Sequence, residues 1–279
     1  MDLANSSLDD QYIGCEAQML EKVKEENYLS TEIQKSPTFA YAWSVALGKI
    51  SALTNFIGLS TEEATALYTY TMPDFHCEFN AAVRIGGGVN YNAFPFKALH
   101  FYMTTASKKL KAQSPSCVDV VRGSREPIKE SVGSTVRFGT FTSSSLGRQV
   151  AESFGKETVF HIRTCQGVYI KDYSFAPHEE EVLIPPYEKF KVASVNGNEI
   201  TLISVEGDTN SVNNCLAGEH VHLCFSLVPY LVPVNYTVQM ANKIQSCRFR
   251  PAPNPDNTAL CITDNLHFTT STTALAVDL

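Results

Sequence analysis

Apolar residues recur at helical spacing through the first 110 residues, and at strand spacing from about residue 117 onward. Four stretches carry the helical pattern: DDQYIGCEAQMLEKVKEEN (9–27), TFAYAWSVALGKISAL (38–53), TEEATALYTY (61–70) and FKALHFYMTTASKKLKA (96–112). In the last, Leu99, Tyr102, Met103, Ala106 and Leu110 fall at i, i+3, i+4, i+7 and i+11, which is one face of a helix. Asp9 and Thr61 stand where N-caps are expected, and Glu62 and Glu63 put negative charge in the first turn after Thr61. The glycine triplet of IGGGVNYN (85–92) follows a helical pattern, not a strand, so it reads as a loop and not as a phosphate cradle.

Six short segments rich in Val, Ile, Phe and Thr follow: SCVDVVRG, VRFGTFTSSS, TVFHIRTC, EEVLIP, KFKVASV and EITLISV, separated by turn signals. Helices first and strands afterwards predict an α+β fold and not an alternating parallel sheet. In HEEEVLIPP (178–186), a strand begins at about Glu180 or Glu181 and stops at Pro185-Pro186, which cannot continue a central ladder. Alternation along that strand sends Glu179 and Glu181 to one side and Glu180 to the other. Two carboxylates on one face are either a solvated edge or paired chemistry. After Cys215 the composition loosens, and residues 235 to 279 carry Thr, Asn, Pro and Ser without a clear period. No internal repeat is visible.

Composition narrows the class. With 279 residues, 44% hydrophobic and 18% charged, the chain is long enough to bury a full core in one domain. A net charge of −7 and a pI near 5.5 argue against a nucleic-acid footprint and suit a basic protein partner. Eight cysteines without a C-x-x-C pair favour disulfides and an oxidising compartment over a metal site. The sequons Asn5-Ser6-Ser7 and Asn235-Tyr236-Thr237 agree with secretion. The polar MDLANSSLDD shows no signal-peptide pattern, and the 14-residue apolar run 221–234, with its two prolines, is too short to span a bilayer.

Three strand-associated elements recur in order: Arg122-Gly123, Ser143-Ser144-Ser145 and Glu179-Glu180-Glu181. Taken singly they read as an ion-pair arginine, a serine turn and a wet acidic rim. Taken together, the order Arg, Ser, E-x-E resembles the arginine-specific mono-ADP-ribosyltransferases, the vertebrate ectoenzymes related to bacterial toxins. FPFKALHFYMTTA (94–106) is similar to the family's helix signature, with Met103 where leucine is usual. VRFGTFTSSSL (136–146), TCQGVYIKDYSF (164–175) and EEEVLIPPYE (179–188) resemble its later blocks, and DDQYIGC (9–15) the start of its mature enzymes. The sequence departs from the family at Val121, where an aromatic commonly precedes the motif arginine, and at Thr140, where glutamine is frequent. It also lacks the usual hydrophobic anchoring tail after Cys215.

The resemblance implies an N-terminal helical part followed by a mostly antiparallel two-sheet core, with a catalytic domain over residues 9–215 and a partly disordered extension over 216–279. It implies transfer of ADP-ribose from NAD to arginine side chains of proteins by an extracellular monomer, secreted or at the cell surface, with NAD as co-substrate and no metal. In that reading Glu181 stabilises the ribosyl cation, Glu179 holds and deprotonates the guanidinium, and Arg122 contacts the phosphates. Ser143 orients Glu181, the Gly123 backbone meets the nicotinamide amide, and Ser174 and Phe175 contact the cofactor or target. Phe175 reads equally as plain core. A bridge from Cys117 to Cys165 would staple two catalytic strands, and one from Cys15 to Cys215 would tie the first helix to the last core strand. An NAD glycohydrolase and a catalytically silent binding module are the competing readings; the E-x-E spacing favours transfer, because water needs no guanidinium-binding carboxylate.

Overall fold

The structure, a computed structural model, describes residues 1–53, 58–73, 75–205, 207, 211–217 and two short strands beyond them. Six helices come first: α1 (Glu16–Glu25), α2 (Tyr28–Lys35), α3 (Pro37–Ile50), α4 (Thr61–Tyr70), α5 (His76–Ile85) and α6 (Lys97–Gln113). Local chemistry sets their ends. The Ser36 hydroxyl accepts from Phe39 N at 3.1 Å, with Pro37 pre-set for the first turn of α3. Helix α4 starts with a capping box in which Ser60 and Glu63 satisfy each other's backbone N–H groups. Thr61 is therefore the first helical residue, and the cap is Ser60. Helix α6 has no cap of its own at Phe96; the buried Glu32 carboxylate of α2 accepts from Ala98 N at 2.8 Å and Leu99 N at 3.3 Å. Burial raises the Glu32 carboxyl to about 7.

Asp9 is not a cap, and the helix expected over 9–27 begins only at Glu16. Tyr12 and Gly14 have φ of +55° and +83°, left-handed values that stop a helix from running through them. Helices α2 and α5 have short or mixed patterns that periodicity alone does not isolate. The 85–92 loop holds a short 3₁₀ turn, Gly88–Ala93. Around α6, which is buried continuously from Ala98 to Ser107, the rings of Phe39, Phe75, Phe79, Phe96 and Phe141 pack in stacked and edge contacts. At its centre His100 bridges Tyr12 Oη at 2.8 Å and Leu8 O at 3.0 Å, and burial lowers its pKa to about 4.

The strands are β1 (Val118–Ser124), β2 (Thr135–Val136), β3 (Thr142–Ser145), β4 (Thr158–Thr164), β5 (Val168–Tyr169), β6 (Glu181–Ile184), β7 (Phe190–Asn196) and β8 (Glu199–Ser204), with helix α7 (Arg148–Ser153) between β3 and β4. They form one eight-stranded sheet in the order β2-β7-β8-β4-β1-β3-β6-β5. The expected pair of antiparallel sheets is thus a single mixed sheet, with β4 parallel to β8. One apolar cluster draws on almost every strand, including Val120, Phe160, Ile162, Val182, Ile184, Phe190, Val192, Ile200 and Leu202, and takes no buried residue from any helix. A sheet face that buries itself without helices must curl over, so one hydrogen-bonded ladder does the work of two layers. Strand β6 lies between both cores: Val182 and Ile184 join this cluster, and Leu183 joins the helical one. Burial on both faces explains an unbroken apolar run where alternation is the rule for half-exposed strands.

The N-terminal segment is tied in by charge. Arg137 Nη1 meets Asp9 Oδ2 at 2.5 Å, both side chains fully buried, and Arg137 also donates to Leu3 O and Ala4 O. Asp9 accepts from Val212 N and Asn213 N, and Asp10 from Cys215 N and Leu216 N. Cys15 is bonded to Cys215, and Cys117 to Cys165, closing separations of 200 and 48 residues. Cys77 is exposed and has no disulfide partner among the described residues, and Cys224, Cys247 and Cys261 lie outside them. Residues 1–219 form one compact unit; in a second, 220–279, β9 (Val238–Met240) pairs antiparallel with β10 (Lys243–Gln245). Of the extension expected to be loose over 216–279, Leu216 and Ala217 pack on the helical core, and apart from β9 and β10 the rest falls outside the described residues.

Replacing Asp9 by Asn strands a buried guanidinium without its counter-charge. Urea denaturation should show a loss of about 3–5 kcal/mol, the usual cost of removing one partner from a buried pair. A loss below about 1 kcal/mol would show that the pair does not hold the segment.

Candidate active site

The site is assembled where β1, β3 and β6 run side by side. Register places Val121, Ser145 and Glu181 in one row across the three strands, with Ser143 opposite Leu183. Strands β1 and β3 share that single register pair. Beyond it the Arg122 guanidinium reaches across, donating from Nη1 to the Ser143 carbonyl oxygen at 2.6 Å. Arg122, Ser143 and Glu181, distant in sequence, thus converge through neighbouring strands.

Glu181 is 4% exposed. Burial is the main force on its carboxyl and raises it to about 7; the Ser143 hydrogen bond lowers it, the Glu179 charge raises it, and Arg122 lowers it. Its Oε1 has no hydrogen-bond partner among the described residues. A buried carboxylate oxygen left unpartnered costs stability, and such groups are rare unless something else satisfies them.

Glu179 and Glu181 are brought near each other, but not by strand alternation. Glu179 ends a 3₁₀ turn, Pro177–Glu179, and Glu180 takes φ +46° and ψ +51°, left-handed values rare for a side chain other than glycine or asparagine. The strand starts at Glu181, one residue after that reversal. Glu180 turns its carboxylate to Lys171 Nζ at 3.5 Å, near solvent.

Gly123 lies on β1 two residues from Val121, and Ser174 and Phe175 have contacts of their own. At Gly123 a Cβ would fall 2.2 Å from Ala151 O and 2.3 Å from Gly155 O, so the close approach of α7 to β1 by itself requires glycine. Ser174 is buried and its hydroxyl accepts from Ala176 N at 3.1 Å, closing a local turn. Phe175 is 45% exposed and therefore not core; its ring meets Tyr68 edge-on at 6.2 Å, and its N–H donates to Thr71 Oγ1.

A family model described as NAD:arginine ADP-ribosyltransferase matches residues 1–210. The chain belongs to the NAD:arginine ADP-ribosyltransferase family. It is 39% identical over 207 residues to NAD(P)(+)–arginine ADP-ribosyltransferase 1 of Gallus gallus, covering 71% of this chain and 66% of the relative. To the GPI-linked NAD(P)(+)–arginine ADP-ribosyltransferase 1 of Homo sapiens it is 38% identical, covering 70% and 66%. The chain thus spans just under two thirds of the length of these relatives. The crystal structure of the eukaryotic mono-ADP-ribosyltransferase ART2.2 superposes with a TM-score of 0.70 at 36% identity, covering 78% of this chain and 99% of that one. A glutamate-to-isoleucine variant of ART2.2, solved in complex with NAD, superposes with a TM-score of 0.69.

Two residues that sequence reasoning did not mark, Tyr70 and Asn80, bond at the beginning of β3, and Ser145, marked only within the serine run, bonds to the turn before β6. Tyr70, at the end of α4, donates to Phe141 O at 2.7 Å and lies 3.5 Å from Ser143 Oγ; burial raises its pKa to about 12. Asn80 of α5 donates to both Tyr70 Oη and Phe141 O. Each sits on a helical apolar face, where its pattern signals only core. Ser145 donates to Glu179 O at 2.7 Å and accepts from Gly147 N at 3.0 Å. Of the two departures from the family pattern, Thr140 is buried and its hydroxyl pairs with Thr142 Oγ1 at 3.2 Å, while Val121 holds the row beside Ser145.

The raised carboxyl has a thermodynamic signature. Folded, Glu181 keeps its proton up to about pH 7, against an ordinary value of 4.5. Between those values the folded state binds more protons than the unfolded one, so the contribution is complete below about pH 4.5 and lost as pH rises through 7. Glu181→Gln should therefore match wild type near pH 4.5 and gain on it by about 3 kcal/mol by pH 8. Parallel stability curves for the two proteins would contradict the assignment.

Proposed function

We propose that this chain transfers ADP-ribose from NAD to arginine side chains of proteins, releasing nicotinamide. The observation that carries the reading is the buried Glu181 carboxylate, held by Ser143 and with Oε1 unpartnered. A ribose hydroxyl of NAD would satisfy that oxygen. Breaking the bond from nicotinamide to ribose leaves a neutral pyridine and puts positive charge on the sugar, as in glycoside hydrolysis. A carboxylate fixed in a dry site is stabilised little by water and strongly by that developing cation, which makes it the main catalytic group. The positive nicotinamide ring would also favour the ionised form of Glu181 over the protonated one.

In this reading Arg122 gives its planar fork to the phosphates of NAD, which fits its place beside Ser143. The Gly123 backbone faces the nicotinamide amide, and Ser174 and Phe175 line the same end. Exposure of the Phe175 ring suits stacking on the nicotinamide or on the incoming target. Glu179 holds the guanidinium and takes its proton, because a protonated guanidinium is a very weak nucleophile. The domain that does this spans residues 9–215, works as a monomer without metal, and acts outside the cell, in keeping with the two disulfides and with relatives named ecto- or GPI-linked enzymes.

Nicotinamide release and labelling of agmatine, a soluble arginine mimic, should be measured side by side for three single variants. Glu181→Gln should lose both activities by about a hundredfold or more, on the order of 3 kcal/mol of transition-state stabilisation. Glu179→Gln should lose agmatine labelling steeply while NAD hydrolysis persists, since the ribosyl cation is still stabilised and water replaces guanidinium. Glu180→Gln should change little. Wild-type NAD turnover without agmatine labelling would instead identify a glycohydrolase, and no turnover at all a silent binding module.

A further inference from the structure

We infer that the Ser145 hydroxyl is a positioning residue that decides how cleaved NAD is partitioned between arginine and water, an inference that rests on the transferase reading above. The side chain is 4% exposed and lies in register with Glu181 on the neighbouring strand. Its Oγ donates to the Glu179 carbonyl oxygen at 2.7 Å while accepting from Gly147 N at 3.0 Å, so both of its hydrogen-bonding directions are committed to backbone. A second bond, Leu146 N to Glu180 O at 3.3 Å, hangs the next carbonyl on the same segment. Between these two anchors the chain passes through Glu180 at φ +46°, a conformation that costs energy for any residue with a Cβ.

The geometry has a chemical consequence. In an unbroken strand, residues 179 and 181 would sit about 6–7 Å apart along one face, at a spacing the pleat alone dictates. Here a left-handed reversal sets the distance and direction of the Glu179 carboxylate relative to Glu181, and the reversal is held in place by Ser145. Glu181 itself has further holds in the β3–β6 ladder and in Ser143. Loosening the turn therefore displaces the carboxylate that receives guanidinium and leaves in place the one that stabilises the ribosyl cation. A reactive cation formed without a positioned guanidinium is captured by water.

The test is the ratio of agmatine labelling to nicotinamide release in purified chain, with circular dichroism and the KM for NAD recorded for each variant. Ser145→Ala should lower the ratio about tenfold or more, with the KM for NAD within about twofold of wild type. Ser145→Thr, which keeps the hydroxyl, should restore most of it. A second pair probes the turn without touching Ser145. Glu180→Gly adopts left-handed values freely and should keep the ratio, whereas Glu180→Val, β-branched, should lower it as Ser145→Ala does. Should Ser145→Ala fail to fold, the Glu180 pair decides. Wild-type labelling of agmatine with an unchanged ratio in Ser145→Ala, or in Glu180→Val, overturns the inference and leaves the transferase reading standing. A wild type that releases nicotinamide and labels no agmatine overturns both.

Discussion

The buried ion pair between Asp9 and Arg137 is the constraint on which the rest of the larger unit hangs. Arg137 follows β2 and leads into the serine strand β3, while Asp9 and its neighbour Asp10 gather the backbone of residues 212–216. Two ends of the unit and the approach to the site thus meet at one charged contact. Such a pair adds little net stability over an apolar substitute, but once buried neither partner tolerates the loss of the other. Beyond this anchored segment the left-handed residues Tyr12 and Gly14 keep the chain out of helix until Glu16, and Cys15 is bonded to Cys215.

A second layer of constraint comes from sheet curvature. One ladder of eight strands buries an apolar face on itself, which leaves the opposite face free to receive the helices. Strand β6, apolar on both sides, sits between these cores. Its first residue is the acid Glu181, so a carboxylate is carried into a position that burial would otherwise forbid. The cost appears as a carboxyl raised to about 7 and an oxygen without a partner. That destabilised, preorganised group is what a developing sugar cation would meet, and the folding energy given up there is supplied by the two cores on either side.

The E-x-E spacing illustrates how a correct pairing can arise from an incorrect local picture. Strand alternation and a left-handed reversal both bring residues two apart to one side, so spacing alone does not distinguish them. The 3₁₀ segment ending at Glu179 and the left-handed backbone of Glu180 show that a turn, not a pleat, precedes Glu181, and the bonds from Ser145 and Leu146 reach its carbonyls. Likewise the need for glycine at 123 traces to the backbone of Ala151 and Gly155 packed against β1.

Periodicity determined the order of the chain, helices through the first 110 residues and strands from about residue 117, but did not mark α7 among the strands. The resemblance marked Arg122, Ser143, Glu179 and Glu181, which taken singly read as an ion-pair arginine, a serine turn and a wet acidic rim. Tertiary structure alone decided that the strands close into one curled, mixed sheet, since strand pairing is written in contacts far apart in sequence and not in any local period. It alone turned Asp9 from a helix cap into a buried counter-ion and moved the α4 cap from Thr61 to Ser60. It alone brought Tyr70 and Asn80 from the helices to the beginning of β3 and bonded Ser145 to the Glu179 carbonyl. A buried polar residue on an apolar face has the same sequence pattern whether it fills a core or holds a site, and only the partner across the fold distinguishes the two.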